Sequence, residues 1–378
     1  MSGSAAPQIE SLVQAVQQAR AQRTRLRISG QQSKRQWFAA PTADAQMLCV
    51  DELRGIVTYQ PEELVITALA GTSVKELEQT LLQRQQQLAF EPPQFFGSGT
   101  AGGMVASGLS GPARPWGGAV RDAVLGVEMI NGRGEALNFG GQVMKNVAGY
   151  DVSRLMAGAF GALGVICSVS LRVQPIAEYE VTLRVPLAAE PSLTLMRSLA
   201  QQYSPLTGTW WVAGELHLRL AGAMAEVQRW SSRLQAEHGL EDMGRSRIWT
   251  DVRDHTADFF KSIPLETQPA LDRAGAFLCR VIVPPATPQA ALGESQDLAI
   301  EWAGGQRWMW HHQPEGLRQA VHAAGGWLWV LGQQSGLAAA IPAAQQQLMG
   351  AIKAAFDPDG VFVPAVALDG SAEPADAH

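Results

Sequence analysis

Nine of the chain's 38 glycines fall between residues 97 and 126. The stretch 97–118 reads GSGTAGGMVASGLSGPARPWGG, in which Gly, Ala and Ser together fill most positions. Glycine in a helix or strand interior costs up to about 1 kcal/mol against alanine. A run this rich in it is therefore not held together by side-chain packing alone. Two readings follow. One is a turn-rich connection. The other is backbone laid against an extended ligand, where successive N–H groups form an anion-binding nest. The first accounts for the glycine but not for the small-residue texture.

Residues 95–104, FFGSGTAGGM, also contain a formal G-x-G-x-x-G at Gly97, Gly99 and Gly102. A Rossmann turn needs a strand before it, a helix opening within it and an acidic residue about 20 positions later at a strand end. Here EPPQFF precedes the motif, and two prolines disfavour a central strand. The acidic candidate, Asp122, comes before the strand-like AVLGVEMI instead of ending it. The Rossmann fold is set aside.

The 378 residues suffice for two or three domains, and 46% hydrophobic content supports sizeable cores. A formal charge of −6 gives no basic footprint, so no nucleic-acid partner is expected. Cys49, Cys167 and Cys279 are far apart and form neither a zinc spacing nor a disulfide framework. Each is expected to be a buried small hydrophobe in a reducing compartment. The opening MSGSAAPQIE lacks the charged and apolar regions of a signal peptide. The apolar run Leu155–Leu171 ends in alternation, with Val165, Cys167, Val169 and Leu171 on one side, and reads as a strand rather than a membrane span.

Periodicity predicts a helix over 8–23, then a strand at RLRISG followed by the polar turn QQSK. A strand is expected at 64–69, and Ser73-x-x-Glu76 fits a capping box for the helix after it. Asn131-Gly132 marks a hairpin after AVLGVEMI. Beyond Pro175 strands and helices continue with few glycine clusters, which suggests a second α+β domain. No internal repeat is visible. The last ten residues have a disordered composition.

GSGTAGGMVASGLSGPARPWGGAVRDAVLGVEMI and KNVAGYDVSRLMAGAFGALGVICSVSLRVQP resemble the FAD-binding domain of the vanillyl-alcohol-oxidase, or PCMH, type. RISGQQSK sits where that family has its first pyrophosphate loop, GTAGG matches its second, and GALGVI its adenine-side turn. FDPDGVFVPA, 356–365, resembles the segment that returns to the flavin domain. Within the family, SGPARPWGGAVRD and the chain length are most similar to the FAD-binding E subunits of bacterial glycolate oxidases.

The resemblance implies an α+β fold: a two-part FAD domain over 5–175, a second α+β domain over 176–345, a return segment over 346–366 and a disordered tail over 367–378. It implies oxidation of glycolate to glyoxylate, with electrons passed onward and not to NAD. Partners would be a related flavin-binding catalytic subunit and an iron–sulfur subunit, with a small 2-hydroxy acid as substrate. The place would be cytoplasmic, or peripheral on the inner face of the membrane through those partners. Two alternatives stay open: a self-sufficient flavoenzyme, and a degenerate flavin fold kept as a scaffold.

The same resemblance puts Gly30, Gln31, Gln32 and Ser33 around the FAD diphosphate by their N–H groups, with Lys34 either adding charge or lying on the surface. Gly99, Thr100, Gly102 and Gly103 would line the diphosphate and ribityl chain. Ser107 and Gly108 stand where relatives carry Asn-x-Gly-Gly, and Gly117 belongs to the same glycine-rich region. Gly164, Val165 and Ile166 would meet the adenine end. Arg114 would be either a cation for reduced flavin or a surface arginine, and Lys145 and Tyr150 would be ring neighbours or packing residues. No His or Cys lies in the first loop, so the flavin is expected to be non-covalent. The metal-binding H-x-G-D-G-N stretch of related dehydrogenases is missing, and His311-His312, adjacent on a strand, point to opposite faces. No metal is expected. Val363 and Ala365 depart from the family's closing motif. Trp308/Trp310 and Trp327/Trp329 alternate on two predicted strands, as core, interface or ligand-stacking residues. No catalytic residue is identifiable.

Overall fold

A computed structural model describes residues 5–34, 45–141, 151–261, 271–272, 275–293, 295, 297–331 and 343–363. The chain divides into two compact units. The first comprises 1–110, 119–175 and 341–378, and the second 111–118 and 176–340. The segment 111–118, expected with the first domain, thus clusters with the second. The expected tail 367–378, together with Lys145 and Tyr150, lies outside the described residues.

The first unit opens with the helix Ala6–Gln22, whose Ile9, Leu12, Val16 and Ala19 are buried at helical spacing. It packs with Leu26, Leu48 and Phe362. Strand β1 (Arg25–Ser29) runs parallel to β2 (Ala45–Cys49), from Arg25 opposite Ala45 to Ser29 opposite Cys49. On its other side β1 takes residues 361–363 as a further parallel neighbour: Leu26 N donates to Val361 O at 2.7 Å, and Val363 N to Leu26 O at 2.9 Å. Cys49 is exposed, against expectation, because it lies on the outer face of β2; Cys167 and Cys279 are buried. Burial pushes both of those thiols up to about 12.

An antiparallel sheet follows in the order β3 (Ile56–Gln60), β4 (Val65–Leu69), β8 (Val165–Arg172), β6 (Val124–Ile130), β7 (Ala136–Gly140). The short strands β5 (Gln86–Gln87) and β9 (Gln174–Pro175) pair separately. Ile66, Ala68, Val127, Met129, Val169 and Leu171 form a core with Leu77 and Leu81 of the helix Val74–Leu82. That helix starts as its sequence dictates, with Glu76 N donating to the Ser73 hydroxyl at 3.1 Å.

The return segment is clipped by one carboxylate. Asp357, 3% exposed, accepts from Val361 N and Phe362 N, each at 2.8 Å, and pairs with the Lys353 ammonium. Lys353 also donates to Ala162 O at 2.7 Å and Phe362 O at 3.0 Å. Gly132 lies against Asp357 with no room for a side chain.

In the second unit β10 (Tyr179–Pro186), β11 (Leu206–Val212), β12 (Glu215–Gly222) and β13 (Glu241–Asp242) are connected by the helices Ala189–Ala200 and Met224–His238, and lie in the order β13-β10-β12-β11. Then come β14 (Leu271–Asp272), β15 (Ala276–Ile282), β16 (Leu298–Glu301), β17 (Gln306–His311) and β18 (Trp327–Val330). The helix Pro314–Ala323 links β17 to β18, and the order is β16-β17-β15-β18, with β14 sharing an edge of β15. Both orders follow one rule: the fourth strand lies beside the first, and the third separates the first from the second. The halves meet through antiparallel β11 and β16, second strand to second strand. The sequence shows no repeat because what repeats is topology.

Register assigns each face. Leu183, Leu218, Trp211, Ile300, Val281 and Met309 join the aliphatic core, packed against Leu193, Leu234 and Leu317 of the three helices. The alternate positions put Arg219, Trp210, Glu301, Gln306, Trp308, Trp310 and Arg280 on the opposite face. Trp308 and Trp310 are therefore core residues of an aromatic layer with Phe259, Phe260 and His255.

Candidate functional site: a double loop in the first unit

Strand β1 delivers the chain into Gly30–Lys34, and the turn Gly97–Thr100 delivers it into the helix Ala101–Ser107. The structure brings these two predicted loops together. Gly99 N donates to the Gln31 side-chain oxygen at 2.8 Å. A Cβ on Gly30 would stand 2.7 Å from the Thr100 hydroxyl oxygen, so only glycine permits this approach. Gly99 adopts φ +144, and a Cβ there would meet Ser33 Oγ at 3.5 Å and Lys34 Nζ at 3.7 Å. Thr100 caps the helix by accepting from Gly103 N at 3.1 Å. Gly102 N donates to Ala70 O at 2.8 Å, and a Cβ on Gly102 would strike Ala70.

Lys34 is not a surface lysine. It is 6% exposed, and burial holds its ammonium down to about 8. No carboxylate pairs with it among the described residues. Nor do the N–H groups of Gln31, Gln32, Ser33 and Lys34 donate to any protein acceptor among the described residues. Four open amides and a buried ammonium beside a glycine turn fit a multiply charged anion such as the diphosphate of FAD.

The other predicted residues divide. Ser107 and Gly108 are occupied by the fold: the Ser107 hydroxyl donates to Met104 O at 3.2 Å, and Gly108, at φ +62, ends the helix by donating to Met104 and Val105 carbonyls. Gly164, at φ +151, has Ile130 O and Met129 Cε where a Cβ would go. Val165 and Ile166 follow it as buried residues of β8. Gly164→Ala is expected to lower the stability of the first unit by about 2–3 kcal/mol, through positive φ and overpacking together. Thermal unfolding of the variant checks this; an unchanged midpoint would refute it. Arg114 and Gly117 belong to the second unit, where the Arg114 guanidinium lies 4.6 Å from the centroid of the Trp302 ring.

Two groups escaped the sequence reading: Arg280, and His255, which stacks on Phe260 at 4.2 Å. A signal for Arg280 existed, a lone cation on the apolar strand AFLCRVIV. Its face depends on a register that the sequence does not declare. Among the described residues no group of three or more His, Cys, Asp or Glu could hold a metal, and no helix is long and apolar enough to cross a membrane.

Paired loops of this kind, one after a parallel strand and one opening a helix, form a backbone cradle suited to an extended anionic cofactor. The family described as FAD binding domain matches residues 5–140. Across 94% of its length the chain is 36% identical to the glycolate oxidase subunit GlcE of Escherichia coli (strain K12), covering 96% of that protein. It belongs to that family of FAD-linked oxidoreductase subunits. A D-lactate dehydrogenase of Archaeoglobus fulgidus is 25% identical over 53% of this chain and 44% of its own length. The solved structure of an alkyldihydroxyacetonephosphate synthase shares the fold, with a TM-score of 0.65 at 13% identity, over 93% of this chain and 73% of that one.

Proposed function

We propose that this chain is the FAD-binding subunit of a complex that oxidises glycolate to glyoxylate and passes the electrons onward. The observation that carries it is the match to a glycolate oxidase subunit along nearly the whole length of both chains. The double loop supplies the physical support. Open amides of Gln31–Lys34 and the Lys34 ammonium hold the diphosphate, while Gly99–Gly103 give the backbone its close approach. Gly164–Ile166 shape the adenine end. FAD held there would supply two-electron chemistry toward the acid and electron transfer toward an acceptor. The chain's own residues bind and orient it and keep water from Lys34.

Attachment is non-covalent in this reading, since Gly30–Lys34 carries no His or Cys to tether the flavin. Acid precipitation should therefore release all the flavin; flavin retained in the pellet would contradict this. Partners in this reading are an iron–sulfur subunit and a flavin-binding subunit of the GlcD kind; this chain is itself 29% identical to the Bacillus subtilis glycolate oxidase subunit GlcD over 38% of its length and 30% of that protein. The complex would be cytoplasmic or held to the inner face of the membrane by a partner.

The test is an anaerobic visible spectrum of the purified chain, before and after glycolate. Flavin bands that persist unchanged support a subunit that needs its partners. Bands that bleach with glycolate alone would establish a self-sufficient enzyme instead. No flavin bands after FAD is supplied would sink the cofactor assignment and leave a scaffold.

A further inference from the structure

One face of the first unit's sheet changes character along its strands. At one end Leu69, Ile130, Val165 and Cys167 pack with the helix Ala6–Gln22. Farther along, register lays two rows across β4, β8, β6 and β7. One row runs Leu69, Ser168, Glu128, Asn138; the next runs Thr67, Ser170, Gly126, Gly140. Residues two apart on a strand share a face, so both rows look the same way. Over them lies a half-open cavity of about 210 Å³. One of its walls is backbone: the chain at Gly141 folds in over Gly126, Gly141 N donating to Leu125 O at 3.1 Å, and a Cβ on Gly126 would stand 2.8 Å from Gly141 O.

The described lining carries a single charge, on Glu128. That residue is 8% exposed. Its Oε2 accepts from the Ser168 hydroxyl at 3.3 Å, and its Oε1 is buried with no hydrogen-bond partner. No lysine, arginine or histidine lines the cavity among the described residues, and Glu128 enters no ion pair among them. The Thr67 and Ser170 hydroxyls bond to each other at 2.8 Å. A carboxylate withdrawn from water on one long hydrogen bond is costly unless a cation joins it. Asp357, in the same unit, shows the contrast, with two amides and an ammonium around it.

Size and donor set select the occupant. Pockets for whole small molecules enclose about 300–1,000 Å³. This cavity is smaller and suits the end of one side chain. A guanidinium presents five N–H donors in one plane and meets a carboxylate edge to edge. Ser168 and Asn138, which flank Glu128 in its row, add acceptors beside it. Arginine seated in a pocket is a frequent anchor of protein–protein interfaces.

We propose that this cleft receives an arginine side chain of a partner subunit, with Glu128 as its counter-ion. That the partner belongs to the same complex rests on the function proposed above; the demand for a cation rests on the first unit alone.

Butylguanidinium stands in for the end of the arginine, and butylurea is its neutral counterpart. Each is titrated into the full-length, FAD-loaded chain and followed by amide NMR. Butylguanidinium should shift the amides of 126–128, 138–141 and 168–170 saturably, and butylurea should not. Glu128→Gln should weaken the response at least tenfold. The complex is then purified through a tag on this chain from cells making all its subunits. Glu128→Gln should retain at least tenfold less partner, while the isolated variant unfolds no earlier than the wild type and holds the same FAD. Asn138→Arg leaves Glu128 in place but gives it a guanidinium from within the chain, and should block both the probe and the partner. Absence of localised shifts overturns the proposal, as do equal shifts with potassium chloride, which would mark a simple ion site, or partners retained in full by both variants. Those results leave the complex itself standing. A wild-type chain that brings down no other subunit removes the subunit reading, and this partner with it.

Discussion

Lys34→Met should stabilise the FAD-free protein and weaken its hold on FAD. The ammonium is buried without a carboxylate partner among the described residues, and burial lowers it from 10.5 to about 8. That shift amounts to about 3 kcal/mol held against the folded apoprotein below pH 8. Methionine fills a similar volume without charge, so the unfolding midpoint of the apoprotein should rise by several degrees. The same change removes a charge-assisted contact to the diphosphate, and the Kd for FAD should increase roughly 10- to 100-fold. Calorimetry with and without FAD measures both. A destabilised apoprotein with unchanged FAD affinity would show that Lys34 is a packing residue.

The pH dependence follows from the same group. Between about pH 8 and 10.5 the unfolded chain keeps the lysine proton and the folded apoprotein does not. The unfolded state binds more protons there, so stability of the wild-type apoprotein should climb across that window. The climb should vanish in Lys34→Met. It should also shrink when FAD is bound, because the diphosphate restores the ammonium's preference for its proton.

Asp357→Ala should open the return segment at Val361–Val363. The carboxylate holds two backbone amides and the Lys353 ammonium at a nearly inaccessible position. Removing it strands Lys353 and two donors, at a cost of about 3–5 kcal/mol. Hydrogen exchange gives a local readout. The Leu26 amide, which donates to Val361 O, should lose protection together with Val361 and Phe362. Asp357→Asn keeps one acceptor and should fall between. Unaltered exchange at Leu26 in the alanine variant would mean that the aromatic packing of Phe362 holds the strand by itself.

Much of the fold could be read from local chemistry. The Ser73 cap and the 3.6 spacing of the first helix are properties of neighbouring residues and appear as expected; β8 is the strand expected, but not with its alternation, because a register shift against β6 puts Val165 and Cys167 in one core and Ile166, Val169 and Leu171 in the other. The loops at 30–34 and 97–103 were also legible, because small residues at a strand end advertise close backbone approach. Their mutual contact was not: it depends on Gln31 reaching Gly99, 68 residues away along the chain. Lys34 illustrates the same limit. QQSK looks like any polar turn, and only the assembled unit buries the lysine. Ser107 and Gly108 were read as ligand contacts, yet their hydrogen bonds complete a helix C-terminus. Arg280 and Trp302 were unreadable as a pair, since strand register and a left-handed turn bring them together.

The last strand of the first unit has a consequence for how the protein is made. Leu26 emerges from the ribosome long before its parallel neighbour at Val361–Val363. The second unit lies wholly between them and can condense while synthesis continues. Helix Ala6–Gln22 and β1 must wait with one sheet edge unpaired. Completion of the FAD-binding unit therefore waits until translation has passed Val363, after the whole second unit has emerged.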